Sequence, residues 1–393
     1  MPEQASGPLA GLQVVEMRSL GPGPFAGMML SDLGATVIQI DRPAGGHVVG
    51  PSAPFDLMNR GRQSLALDLK QPGAAEVALR FIERADILIE GYRPGVMERL
   101  GLGPDVCLEH NPRLLYGRMT GWGQDGPWAN RVGHDINYIG VTGVLHAMGR
   151  PESPPAPPLS LVGDFGGGAM LLVVGLLAAL QHRAHTGVGQ VVDAAITDGT
   201  SAMAMSLHGM LAEGTWTRNR GDNVIDSGAP FYDTYATADG GYIAVGAIEP
   251  QFWAALVQAL RLPVDWLSCQ NDRSRWPEMK QRLAELFSSR TRDDLVADLG
   301  HLDACVTPVF TVREATQSPV LQARDSFVTI DGVVQPAPAP RFSATPGRVQ
   351  GPPPTPGGQG YELLKGVGYS NDEIADLQAA GLAVLHRERN AAR

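Results

Sequence analysis

Residues 12–43, LQVVEMRSLGPGPFAGMMLSDLGATVIQIDRP, decide the fold class. Leu12 to Met17 is a short apolar run that reads as a strand. Gly21-Pro22-Gly23-Pro24 turns the chain. Phe25 to Leu33 has the spacing of a helix, with Gly34 placed to end it. Ala35 to Ile40 is a second strand, rich in β-branched residues, and it stops at Asp41-Arg42-Pro43. Two parallel strands need a crossover between them, so strand, turn, helix and strand read as one βαβ unit of a parallel sheet.

The alternation continues outward from this stretch. Ser64 to Leu69, Asp86 to Glu90, Leu114 to Met119 and Gln190 to Ala195 are strand-like, and Ala74 to Glu83 has helical periodicity. The fold class is therefore α/β, a parallel sheet with helices on both faces. Pro151 to Pro158 reads as a connector. Gly166-Gly167-Gly168 then precedes an apolar helix over 169–183. Beyond residue 220 the character changes. Phe231 to Ala238 and Tyr242 to Ile248 flank Asp239-Gly240-Gly241, a hairpin signal. Pro250 opens an amphipathic helix with Phe252, Trp253, Leu256, Val257 and Leu260 on one side, which puts Glu249 at or near its N-cap. A smaller α+β domain is expected over 225–325. Gln335 to Gly360 is rich in Pro and Gly. Ser370 with Glu373 forms a capping box for a short helix ending at Gly381.

Composition bounds the function. The 393 residues carry a net charge of −10, so no basic field attracts nucleic acid. A hydrophobic share of 44% supports sizeable cores. Cys107, Cys269 and Cys305 are scattered, which argues against a disulfide framework or zinc site and fits a reducing cytoplasm. The first eight residues are polar, with no signal-peptide core. The most apolar stretch, Ala169 to Leu180, falls short of the ~20 residues of a membrane span, so a core helix and no membrane partner are expected. Asn390 to Arg393 is not a peroxisomal address of the S-K-L type.

Several motifs invite a chemical reading. Gly21, Gly23 and Gly27 with Asp41 approach a dinucleotide fingerprint, which keeps an NAD dehydrogenase open as an alternative. Their GxGxxxG spacing is one residue too long, however, and Pro22 and Pro24 lack the N–H groups that cradle a pyrophosphate. Arg42, Lys70 and Arg93 each close a strand or follow one, where a cation faces the ligand crevice of an α/β sheet. His134 lies in a polar context, Gly133-His134-Asp135-Ile136-Asn137-Tyr138. At a helix start it would have free N–H groups beside it to stabilise an oxyanion. Asp164 lies in Val162-Gly163-Asp164-Phe165-Gly166-Gly167-Gly168. It reads either as a helix N-cap or as an acid that flanking glycines leave open to a substrate. An apolar setting beside Phe165 would keep it protonated. Met203, Leu207 and Met210 at helical spacing read as core or as an adaptable acyl surface.

At these residues the sequence resembles the racemase branch of the class III CoA-transferase superfamily, the α-methylacyl-CoA racemases. GPGPFAG, IDRP, LDLK, GYRPGVMERLGLGP, TGWGQDGP, GHDINY, VGDFGGG, GQVVDA, GAPFYDTY, VGAIEPQF and DACVTPV carry the resemblance over almost the whole chain. It implies an intertwined homodimer. Each subunit has a Rossmann-like CoA-binding domain (1–200, completed by 361–393), a connecting segment (201–224), a small α+β domain (225–325) and a Pro/Gly-rich linker (326–360). It implies an acyl-CoA thioester substrate inverted at its α-carbon, with no cofactor beyond the CoA of the substrate. His134 and Asp164 would be the acid–base pair on opposite faces of that carbon. Glu249, from the partner chain, would hydrogen-bond the histidine. Arg42, Leu67, Asp68, Leu69, Lys70, Arg93, Gly133, Asp135, Ile136, Asn137 and Tyr138 would contact CoA or the thioester, with the Asp135 N–H as oxyanion donor. The alternatives are a CoA-transferase of the same superfamily, in which Asp164 attacks the thioester, and a CoA-thioester-binding protein with little catalysis.

Overall fold

Val14 and Val15 are neighbours in sequence and both are buried, yet they belong to different apolar cores. Successive side chains of a strand point to opposite faces, so a run buried throughout is the mark of a parallel sheet covered on both sides. The computed structural model of the protein, which describes residues 6–43, 51–217 and 219–385, has this architecture. The strands are β1 (Gln13–Met17), β2 (Thr36–Asp41), β3 (Arg62–Leu67), β4 (Ile87–Glu90), β5 (Leu115–Thr120) and β6 (Gln190–Ala195). Among the described residues they form one sheet in the order β3-β2-β1-β4-β5-β6, all parallel. A seventh strand, Ala383–Val384, runs antiparallel on the outer edge of β3. The order turns back between β1 and β4, so the crevice beyond their C-terminal ends is the switch point where such sheets bind ligands.

One face of the sheet presents Val15, Ile38, Leu65 and Leu88 to the Ala74–Ile82 helix and to Leu364 and Ile374 of the C-terminal segment. The other presents Val14, Val37, Ile87 and Leu115 to the Pro22–Asp32 and Leu171–Thr186 helices. The C-terminal helix Asn371–Ala379 starts on the capping box read from sequence: Glu373 N–H donates to Ser370 Oγ at 3.2 Å and Ser370 N–H to Glu373 Oε2 at 2.7 Å.

The chain divides into two units. The first comprises Met1–Thr142, Leu159–Met203 and Asp325–Arg393, and the second Gly143–Pro158 and Ala204–Arg324. The second has its own core around Phe231, Trp253, Trp266 and Trp276 and a three-stranded antiparallel sheet, Tyr232–Ala236, Tyr242–Gly246 and Val306–Val309.

The structure differs from the sequence reading in several places. The proline-rich 151–158 segment belongs to the second unit, where Arg150 just before it pairs with Asp233 at 2.7 Å. The expected connecting segment 201–224 holds a helix, Met205–Glu213. The expected linker 326–360 contains a hairpin, Phe327–Ile330 with Val333–Pro336. Lastly, the 169–183 helix is longer than its apolar core indicated. A π-helical segment, Leu161–Met170, runs directly into Leu171–Thr186. Together they are long and apolar enough to cross a membrane by length and composition. Leu172, Val173, Leu176 and Ala179 nonetheless pack this helix on the sheet.

Candidate active site

The π-helical segment builds one half of the site. It begins after Leu159 and Ser160, both in left-handed backbone at φ 57° and 61°. Phe165 N–H then donates to Ser160 C=O at 3.2 Å, the wide i→i+5 turn of a π-helix. Asp164 therefore lies inside a helical turn and is not its N-cap. Phe165 stacks on Phe25 of the Pro22–Asp32 helix, with ring centroids 4.7 Å apart.

The glycines around Asp164 serve packing, where the sequence reading gave them to the substrate. A Cβ on Gly167 would lie 2.6 Å from the Thr200 nitrogen, and one on Gly199 only 1.8 Å from the Gly167 carbonyl oxygen. The Ile196–Met203 helix thus lies directly against the π segment. A Cβ on Gly163 would meet Asp135 Oδ1 at 2.2 Å. Gly21, at φ 67°, brings the first βαβ turn to Asp164, its absent Cβ 3.0 Å from Oδ2.

The other half is the Asp135–Val141 helix, with extended His134 as its N-cap residue. His134 N–H donates to Asn137 Oδ1 at 3.0 Å and Asn137 N–H to His134 C=O at 2.8 Å. Tyr138 folds back so that its hydroxyl donates to Gly133 C=O. Its ring occupies the space that a Cβ at Gly121 or Gly133 would need and meets Trp122 edge-on at 4.8 Å. Asp135 is buried, and its Oδ1 accepts the Asp164 N–H at 2.8 Å.

These two halves place His134, Asp135 and Asp164 in one electrostatic neighbourhood. Burial pushes the Asp164 carboxyl up to about 6 and the Asp135 charge pushes the same way, while His134 and a hydrogen bond from Ser160 oppose them. A carboxyl with that proton affinity gives and takes protons near neutral pH.

The other residues singled out from sequence are distributed as follows. Arg42, Lys70 and Arg93 are exposed beyond the C-terminal ends of β2, β3 and β4. Arg42 reaches the Tyr92 hydroxyl, and the Tyr92 N–H donates to Glu90 Oε2 at 2.7 Å. Leu67 is buried and Leu69 packs against the same core, so their side chains are committed and only main chain remains to face a ligand. Asp68 receives the Lys70 N–H at 3.2 Å. Ile136 and Asn137 are exposed beside His134. Glu249 occupies the N-cap position of the Pro250–Ala259 helix in the second unit, makes no side-chain cap there, and is exposed. Sequence reasoning did not single out Ser160 or Tyr92, nor the Asp135 side chain as a partner of Asp164. No pattern marks Ser160, whose place is set by its left-handed backbone.

The glycines of the first βαβ unit bear on the dinucleotide alternative. A Cβ on Gly27 would lie 2.2 Å from Glu16 Oε2 and 2.6 Å from Arg62 Nη2. That glycine makes room for a buried ion pair of the protein itself, with Arg62 and Glu16 3.0 Å apart and wholly enclosed.

The architecture and this pair of segments define a class, and comparison with known proteins agrees. The family model described as CoA-transferase family III matches residues 9–360. The chain belongs to that family. It is 42% identical to the α-methylacyl-CoA racemases of Mus musculus and Homo sapiens, over 94% of this chain and 96% of theirs. It is also 33% identical to a probable fatty acyl-CoA transferase of Mycobacterium tuberculosis, over 89% of this chain and 95% of that one. The crystal structure of that transferase superposes with a TM-score of 0.75, at 30% identity over 91% of this chain and 99% of its own.

Proposed function

We propose that the protein inverts the α-carbon of 2-methylacyl-CoA thioesters by two-base proton transfer. The observation that carries this reading is the 2.8 Å hydrogen bond from the Asp164 N–H to Asp135, the residue after His134, which joins the helix start carrying the histidine to an Asp164 carboxyl pushed up to about 6 by burial. In one direction neutral His134 removes the α-proton. The C–H electron pair moves into the thioester carbonyl, giving an enolate, and protonated Asp164 returns a proton on the opposite face. The states exchange in the reverse direction. The main-chain N–H of Asp135 is the first of its helix and has no intrahelical acceptor, which suits an enolate oxygen. Arg42, Lys70 and Arg93 would hold the CoA phosphates and Tyr138 the thioester end. Remote binding of CoA then positions the reacting carbon. The pair needs no cofactor for this chemistry.

The same reading includes a homodimer, in which Glu249 of a second copy fixes the His134 tautomer as a carboxylate does in a catalytic triad. An exposed apolar helix face supports it. Met170, Leu171 and Val174 are exposed on one helix, at 48%, 38% and 59%. Such patches mark association sites. The free thiols Cys107, Cys269 and Cys305 fit a reducing cytoplasm.

An alternative follows from the transferase relative. Asp164 as a carboxylate would attack the thioester carbonyl, expel CoA thiolate and form a mixed anhydride. One experiment separates the two: a single epimer of a 2-methylacyl-CoA is incubated with the protein in D2O. Racemase chemistry gives α-deuterium and loss of stereochemical purity without an acceptor acid. Turnover only with a free acid, and an anhydride trapped at Asp164, would overturn it in favour of the transferase.

A further inference from the structure

We propose that the Asp135 carboxylate is a positioning residue that sets the proton affinity of Asp164, with the Ser160 hydroxyl acting on the same carboxyl in the opposite sense. The inference rests on the reading of Asp164 as an acid–base group and adds the two side chains that tune it.

Three observations carry it. Asp135 is buried, at 6% exposure, and among the described residues it takes part in no ion pair. A buried carboxylate without a counter-ion is costly, and here it is placed beside another carboxyl. Next, the contact is built for it. Asp135 Oδ1 accepts the Asp164 N–H at 2.8 Å, and only the missing side chain of Gly163 lets the π segment wrap that oxygen. One carboxylate thus ties the helix that His134 begins to the turn that carries Asp164. Finally, Leu159 and Ser160 are successive non-glycine residues at positive φ, a backbone conformation that side chains with a Cβ rarely adopt. The turn closed by the Phe165 N–H on the Ser160 C=O, at 3.2 Å, places Ser160 one wide turn before Asp164, where its hydroxyl bonds the carboxyl.

The groups facing Asp164 are few. The 134–138 stretch supplies His134, Asp135 and Tyr138, and Arg93 acts on Tyr138 in turn. The first βαβ unit presents Gly21 and Phe25, and the Ile196–Met203 helix presents Ile196 and Thr200 to the π segment, none of which titrates. Asp135 is therefore the negative charge at this carboxyl, and Ser160 is the neutral donor.

The test is the pH profile of inversion for the native enzyme, Asp135→Asn and Ser160→Ala. In the native enzyme kcat/KM falls toward low pH as Asp164 takes up a proton, so that the pair holds one proton too many, with a midpoint near the Asp164 value of about 6. Asn at 135 keeps an oxygen for the Asp164 N–H but removes the charge, so the acid limb moves down, by roughly one pH unit. Ala at 160 removes a donor to the ionised carboxyl, so the limb moves up. Opposite shifts support the proposal. A limb that stays in place in both variants, or a uniform loss of rate with an unmoved midpoint, overturns it. If Asp135→Asn does not fold, Ser160→Ala alone decides by the same criterion. A 13C-aspartate NMR titration of Asp164, assigned with Asp164→Asn, reads proton affinity without turnover. Failure of the racemase reading would leave those NMR shifts in place, whereas failure of this inference would leave inversion in place and the NMR midpoints unmoved.

Discussion

Two glycine-rich stretches converge on Asp164, and they use glycine differently. In Gly21 to Gly27, the missing side chains accommodate polar groups of the sheet: Gly27 makes room for the Glu16–Arg62 pair, and Gly21 turns the chain beside Asp164. In Gly163 to Gly168, they admit a neighbouring helix and one carboxylate. Gly167 and Gly199 let two helices touch main chain to main chain, and Gly163 admits the Asp135 carboxylate. The Gly21 stretch resembles a cofactor loop in sequence and proves to be the cover of a buried ion pair. The Gly163 stretch has the composition of a loop and folds as a π-helical turn.

Substitutions can break this comparison. The largest effect is expected at Gly199→Ala, whose Cβ would lie 1.8 Å from a backbone oxygen that cannot rotate away. The Ile196–Met203 helix must then move off the π segment, at about 4 kcal/mol or more of stability, read as a lowered urea midpoint. A midpoint within experimental error of native would show that the two helices do not touch as described. Gly27→Ala should follow, at roughly 3 kcal/mol, because it crowds a buried pair whose separation leaves charges uncompensated. Its effect should shrink when combined with Arg62→Met and Glu16→Leu. Additive losses would place the strain elsewhere. The smallest effect is expected at Gly366→Ala, at the end of a helix with nothing within 4 Å, which should raise stability by about 0.5–1 kcal/mol. A loss there would mean that a neighbour covers the site.

Much of the fold was legible. Strands such as Ala35 to Ile40 and Asp86 to Glu90 announce themselves by apolar and β-branched runs, because central parallel strands are buried on both faces. Val306–Val309 was not legible as a strand. It carries Pro308, which is tolerated because this strand pairs on one side only within its sheet. The Phe327–Pro336 hairpin was hidden by the proline-rich segment beginning at its end. At the site, polar context made His134 a candidate and left Asp164 readable as a helix cap, and the resemblance of the surrounding motifs joined the two. Ser160 and the Asp135 carboxylate did not stand out, since their roles come from a left-handed backbone and from a contact 29 residues away in sequence.

The central claim is that His134 and Asp164 address opposite faces of one carbon, and single-base variants in D2O test it most directly. General acid–base groups contribute ~10²–10⁴-fold each, so His134→Ala and Asp164→Ala should each lose inversion by at least that factor. Each variant retains one base. His134→Ala should therefore exchange the α-proton of one epimer only, without inverting it, and Asp164→Ala should exchange only the other. Exchange of both epimers at equal rates by either variant, or inversion that survives either substitution, would contradict the two-base account.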